Sequence, residues 1–292
     1  VEAQKIAEGD NILTPAKLTD VVDCLNEVGR PVHVSEVTVC APDSTSIGSA
    51  IQAVIAENLY RFWFSCPNIT GITWWNVVDG GGAPGEPSYS GLYDKRMRKK
   101  PVYETLDRLI NREWKTSLTT TSNAQGVVRF RGFKGHYRAT WIICLVFCCF
   151  NLFAQRGFPK SAKEDKEKIM SEAYWNIWNP KVQAKIDKDI EQNRKANAIV
   201  GLQNVAAGSE VKIEQVSHDF VFGAHIFNYN QLGTPACNQK YKDVFGTLFN
   251  RATVAFYWKT LEMQPNRPRF REEYWDTEEY WNRQTDPKHQ PH

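Results

Sequence analysis

The sequence predicts an α/β fold built on a parallel sheet or barrel. The prediction rests on a helix, strand, helix, strand alternation over the first eighty residues and on strands that end in polar residues and a Gly-rich loop. The first helix has Thr14 as N-cap, Pro15 at its first position and Gly29 just past its end. Leu18, Val21, Val22, Leu25 and Val28 fall on one helical face. The strand that follows, Pro31 to Val39, is rich in β-branched residues (Val32, Val34, Val37, Val39) and is punctuated by Pro31 before and Ala41-Pro42-Asp43 after. A second amphipathic stretch runs from Ile47 to Phe64, with Ile51, Val54, Ile55, Leu59 and Phe62 at threes and fours. Gly71 to Gly80 then reads as a buried strand running into a Gly-rich loop.

Within the Pro31–Val39 stretch, Glu36 places a carboxylate near the carboxyl end of a short buried strand. Taken alone it reads either as a strand-end Glu in a salt bridge or as a site residue. In a β/α barrel the polar residues at the carboxyl ends of strands line the active site, which would give Glu36 and the Trp75–Asp79 segment one mouth.

His33-Val-Ser-Glu36-Val-Thr, Gly71-Ile-Thr-Trp-Trp75-Asn-Val-Val-Asp79, and Gly91-Leu-Tyr-Asp94 through Lys100-Pro101-Val-Tyr103 occur in that order. Together they resemble the last two strands and final helix of a glycoside hydrolase family 10 xylanase. The resemblance covers roughly residues 1–116, the carboxyl-terminal part of such an enzyme. It implies Glu36 as catalytic nucleophile and Trp75 packing against the sugar, with His33 and Asp79 among the substrate-binding positions.

Composition is that of a soluble globular protein: 42% hydrophobic, 24% charged and 12% aromatic over 292 residues. Ten Trp and eleven Tyr suit sugar sites, which use flat apolar faces with polar edges, although each also has a structural reading. A net charge of +3 with no dense basic run argues against nucleic acid or an anionic membrane as partner. The seven cysteines, at 24, 40, 66, 144, 148, 149 and 237, have no paired zinc spacing, so no metal or cofactor is expected. Three of them sit in the apolar run 141–155. The run is shorter than the ~20 residues of a transmembrane helix. With Lys134, His136 and Arg138 before it and Ala154 at its exit, it has the shape of a secretory signal peptide. The alternative is a buried strand or helix of a packed domain.

Around Gly126 and Gly132, two short alternating runs predict a small β appendage over 117–140. After Gln155 the chain turns charged and helical from Ser161 to Asn176. Asn179 then caps a helix opened by Pro180 that carries Val182, Ile186 and Ile190 on one face. Ala198 to Leu202 and Ser209 to Val216 alternate as strands, so 156–217 reads as a helical and small β layer. From 218 to 292 the resemblance returns from its other end. His218-Asp-Phe-Val-Phe-Gly223-Ala and Phe249 to Glu262, with Trp258 four residues before Glu262, are similar to the first two strands of the same family. Trp258 would line the distal side of the site. Val254 and Tyr257 stand where the family usually carries the Asn and Lys that hold the distal sugar.

The expected fold is therefore a partial (β/α)8 TIM barrel with small β appendages. Its carboxyl-terminal part precedes its amino-terminal part, either as a joined product of two neighbouring genes or as a permutation in which strands seven, eight, one and two lie side by side. The resemblance implies a retaining endo-β-1,4-xylanase acting on xylan, secreted or periplasmic, with no membrane span in the mature form. Open barrel edges imply self-association. The acid/base Glu of the family lies on a strand this chain lacks. Asn26-Glu27 has the right letters but sits in a helix, and Glu262 reads as structural. The alternatives are a carbohydrate-binding protein without chemistry and a joined fragment without function.

Overall fold

A computed structural model describes residues 3–10, 12–80, 88–141, 168–254, 262 and 266. The elements that position the site begin with α1 (Ala3–Ala7), α2 (Pro15–Asn26), β1 (Val32–Val37), α3 (Ser46–Ser65), β2 (Ile69–Trp74) and α4 (Pro101–Arg108). A π-helical turn, Leu109–Glu113, leads to β3 (Ser117–Thr121), β4 (Val127–Phe133) and β5 (Gly135–Trp141). The chain continues with α5 (Glu172–Ile177), α6 (Pro180–Arg194), β6 (Lys195–Gly201), β7 (Glu210–His218), β8 (Val221–His225), α7 (Pro235–Leu248) and β9 (Arg251–Thr253). The fold is α/β. Among the described residues no helix is long and apolar enough to cross a membrane. The signal-like run 142–155 and Trp258 lie outside the described residues.

The capping chemistry read from the sequence sets the helix starts. Thr14 Oγ1 accepts from Lys17 N, and Asn179 Oδ1 accepts from Lys181 N and Val182 N, each with Pro at the first helical position.

The central feature is a four-stranded sheet in the order β1-β2-β8-β9. Every neighbouring pair is parallel. Strands from the two ends of the chain thus lie side by side, and no closed barrel forms among the described residues. One face of the sheet is packed under helices. Ile72, Trp74, Phe222 and Ala224 point into this core, joined by Ile55, Leu59 and Phe64 of α3 and by Val102 and Leu106 of α4. The segment beyond residue 168 docks on the outside of α3. Asn58 Nδ2 donates to Tyr174 Oη at 2.7 Å, and Gln183 Nε2 donates to Asn58 Oδ1 at 3.0 Å. Arg194 closes the end of α3 by donating to the carbonyls of Phe64, Cys66 and Ile69.

The β segments on either side of residues 142–167 share sheets. β7 pairs antiparallel with both β3 and β5, and β4 pairs with β6. The appendage over 117–140 and the layer before residue 217 are therefore one small β unit, whose own core is Val128, Val211 and Ile213.

Three sequence expectations need correction. The predicted helical face is only partly used: Leu18 and Val22 of α2 are buried, while Val21 (58%) and Leu25 (41%) are exposed, as is Val28 (69%) just past the end of the helix. The reason is position, because α2 leads into β1, an edge strand, and no further β/α unit packs beyond it among the described residues. β1 itself is not a buried strand, since His33, Ser35 and Glu36 are exposed. Finally, β2 stops at Trp74 rather than running on to Gly80.

Candidate functional site

The second face of the parallel sheet is open. His33, Ser35, Glu36, Thr73, Val221, His225, Arg251 and Thr253 line a cavity of about 410 Å³ on it. These side chains stack in tiers set by strand register. His33 of β1 and Val221 of β8 flank Gly71 of β2 in one tier, and Thr73 of β2 and Arg251 of β9 flank Gly223 of β8 in the next. The glycines are needed for closeness. A Cβ at Gly71 would lie 2.6 Å from both His33 and Val221, and one at Gly223 would lie 2.8 Å from Thr73 Oγ1. Alternate strands filling successive tiers is the packing pattern of a barrel interior.

Glu36 reaches this face through an irregularity. Successive residues of a strand point to opposite faces, yet Ser35 and Glu36 both line the cavity. The β1–β2 register shifts between Val34 and Val37, and such a shift re-aims a side chain. Glu36 therefore sits near the carboxyl end of β1, as the sequence predicts, and is exposed to the cavity.

His33 Nε2 lies 2.7 Å from Thr73 Oγ1, fixing the ring beneath Glu36. Partial burial against Gly71 and Val221 lowers the pKa of His33 and favours its neutral form. At the strand ends, Trp75 packs with its ring 4.2 Å from His225 and 4.9 Å from Phe227, and the His225 and Phe227 rings stack at 4.9 Å. His225 Nε2–H donates to the Ser35 carbonyl at 3.3 Å, which ties this aromatic cluster to the backbone beside Glu36. Tyr241 Oη donates to the His225 carbonyl at 3.4 Å and anchors the end of β8 from the helical side.

Asp79 is placed differently. Its carboxylate accepts from Lys100 Nζ at 2.9 Å and from Gly91 N at 2.8 Å, and both charged side chains are more than nine-tenths buried. Burial raises its pKa, while Lys100 and the Gly91 amide oppose the rise. The geometry gives Asp79 the task of pinning the loop after β2 to the start of α4. Glu262 accepts from Asn266 N at 2.5 Å, and Glu27 follows the last turn of α2; neither lines the cavity.

The structure thus brings together Glu36 and His33, with Trp75 adjoining through His225, and holds Asp79 in a buried ion pair. Sequence reasoning missed Thr73, His225, Phe227 and Arg251. A signal for three of them was present: Thr73, His225 and Arg251 are polar residues on the inward parity of their strands. Among the described lining residues Glu36 is the single carboxylate. Glu36 gives the cavity a carboxylate, and Trp75, His225 and Phe227 form an aromatic cluster at the adjoining strand ends.

No family model matches the chain. The chain is similar to the anti-sigma-I factor RsgI6 of Acetivibrio thermocellus, 28% identical over 123 residues. That match covers 42% of this chain and spans 15% of the relative's length.

Proposed function

We propose that the chain carries the nucleophile half of a retaining endo-β-1,4-xylanase of the family 10 type, with strands seven, eight, one and two of a (β/α)8 barrel as β1, β2, β8 and β9. Glu36 is the nucleophile in this reading, Trp75 backed by His225 and Phe227 is the surface for the sugar ring, and His33 with Thr73 forms the floor. Xylan or a related β-1,4-linked plant polysaccharide is the substrate class. The signal-like run supports action outside the cytoplasm.

The observation that carries the proposal is the strand order. Two chain segments whose motifs resemble opposite ends of one enzyme fall into a single parallel sheet, and their inward residues surround Glu36. Retaining hydrolysis needs a second carboxyl group about 5–5.5 Å from the first. With one carboxylate among the described lining residues, turnover of unactivated xylan is expected to be roughly 10²- to 10⁴-fold below that of a complete site.

The test supplies a leaving group that needs no acid. On a 2-deoxy-2-fluoro-xylobioside with an activated aryl leaving group, a Glu36 carboxylate oxygen forms an ester to the anomeric carbon as the aryloxide departs. Intact mass should rise by one fluoro-xylobiosyl group on the parent and stay unchanged on Glu36→Gln. An unlabelled parent that still binds xylan on an affinity gel would replace the enzyme reading with a non-catalytic carbohydrate-binding one.

A further inference from the structure

Among the described residues the parallel sheet has four strands, half the eight of the closed barrel whose tier pattern it follows, with β1 and β9 at its edges. We propose that a second copy of this chain closes it. A two-fold axis along the barrel axis keeps all eight strands parallel and sets β9 of each copy beside β1 of the other. This inference rests on the half-barrel part of the proposed function and is independent of whether Glu36 performs chemistry.

Three features point to a second copy as the occupant. The first is parity. In the two rows below the strand ends, side chains of β1 and β8 flank Gly71 and side chains of β2 and β9 flank Gly223, so a strand with the parity of β1 continues this alternation beyond β9, and β1 of another copy has it. Four described strands per copy is an even number, which lets that alternation close. The second is charge. The β1 edge carries exposed Glu36 and the β9 edge carries exposed Arg251, so joining the edges brings a carboxylate and a guanidinium together twice per dimer. The third is apolar surface at both margins. Val21 and Leu25 stand exposed on α2 and Val28 in the turn after it, on the way into β1, and Val254, 55% exposed, follows β9. Unpaired parallel edges flanked by such side chains are templates for strand pairing, and closed two-fold assembly is the common outcome for identical chains.

The two-fold also sends the two Glu36 side chains to opposite sides of the barrel mouth. The dimer completes the barrel wall without supplying the close second carboxylate, so assembly and turnover are separable.

The test is sedimentation of the full chain over a wide concentration range, with circular dichroism to check folding. The parent should sediment as a dimer. Glu36→Arg and Arg251→Glu each set like charges against each other at both junctions, and each should raise the dimer dissociation constant about tenfold or more. Mixing the two variants should restore the dimer, because each junction then again has one cation and one anion. The double variant in a single chain should restore it too, which guards against a single variant that fails to fold. A monomeric parent overturns the proposal, as do single variants that dimerise like the parent, or folded single variants whose mixture stays monomeric. Fluoro-sugar labelling of the same parent separates the two ideas. A dimer that is not labelled sinks the enzyme reading alone, and a labelled monomer sinks this one alone.

Discussion

The two faces of the parallel sheet carry opposite chemistry. On the helix-covered face, Ile72, Trp74, Phe222 and Ala224 are at most 1% exposed, and on the other His33, Ser35, Glu36, Arg251 and Thr253 remain exposed. Parallel sheets are ordinarily covered on both faces, and their strands read as continuous apolar runs. Here the central strands β2 and β8 are buried almost throughout, and the exposed residues of the second face come from the edge strands β1 and β9. The two faces divide labour: the covered face holds the sheet together, and the open face holds the groups available to a ligand or a second chain. The adjacent pair Trp74 and Trp75 shows the division within two residues, since the first is sealed in the core and the second lies against His225 and Phe227.

The largest expected effect tests that division directly. Trp74 is fully buried, stacks obliquely with Tyr60, and donates Nε1–H to the carbonyls of Asn76 at 2.8 Å and Ser90 at 3.2 Å. Trp74→Ala should lower unfolding free energy by about 3–5 kcal/mol, from lost transfer energy and the cavity left behind. Trp75→Ala should cost less than half as much in the same urea titration. Equal losses would show that the open face is as structural as the covered one.

Next in size is the ion pair at the rim. Lys100 and Asp79 are buried together, and Lys100 Nζ also donates to the Tyr89 carbonyl at 3.2 Å. Asp79→Ala leaves the ammonium buried without its counter-charge and should cost about 3 kcal/mol, the low end for breaking such a pair because Tyr89 still accepts. Replacing both by apolar residues should recover most of that loss. If Asp79 instead serves substrate, its Asn variant would weaken retention on a xylan column while leaving the unfolding midpoint in place.

Much of the fold was legible because local signals agreed with tertiary demand. Thr14 with Pro15 and Asn179 with Pro180 start their helices as read, and the Ile51, Val54, Ile55, Leu59 and Phe62 face of α3 is buried throughout. The order of motifs allowed two accounts, a joined product and a permutation, and the side-by-side strands belong to the second of them. The exposed half of α2 was not legible, because periodicity reports which face is apolar and says nothing about whether a neighbour arrives to cover it. Of the site, Glu36 was readable from its place at a strand end. Asp79 looked equally eligible beside Trp75, and only the arrival of Lys100 from a segment twenty-one positions away shows where its charge is spent. His225, Phe227 and Arg251 escaped notice since their meaning depends on which strand lies next to β2, a long-range fact.

The smallest of these effects titrates the covered side. His218, at the end of β7, packs its ring 5.4 Å from Phe222 and 6.1 Å from Phe133, with Gln215 Nε2 at 3.3 Å from Nδ1. Burial pushes its pKa down to about 4, with Lys115 adding to the fall and the Ile110 carbonyl and Asp219 opposing it. The folded state therefore favours the neutral ring. In the unfolded chain the group takes up its proton near pH 6.5, so between about 6.5 and about 4 the unfolded state binds more protons. Stability is full above pH 6.5 and declines as pH falls through that window, by an amount on the order of 2–3 kcal/mol from this residue. His218→Gln should remove that portion of the slope in urea titrations at a series of pH values. An unchanged slope would mean that the ring is solvated, and that the apolar seal under the sheet stops short of β7.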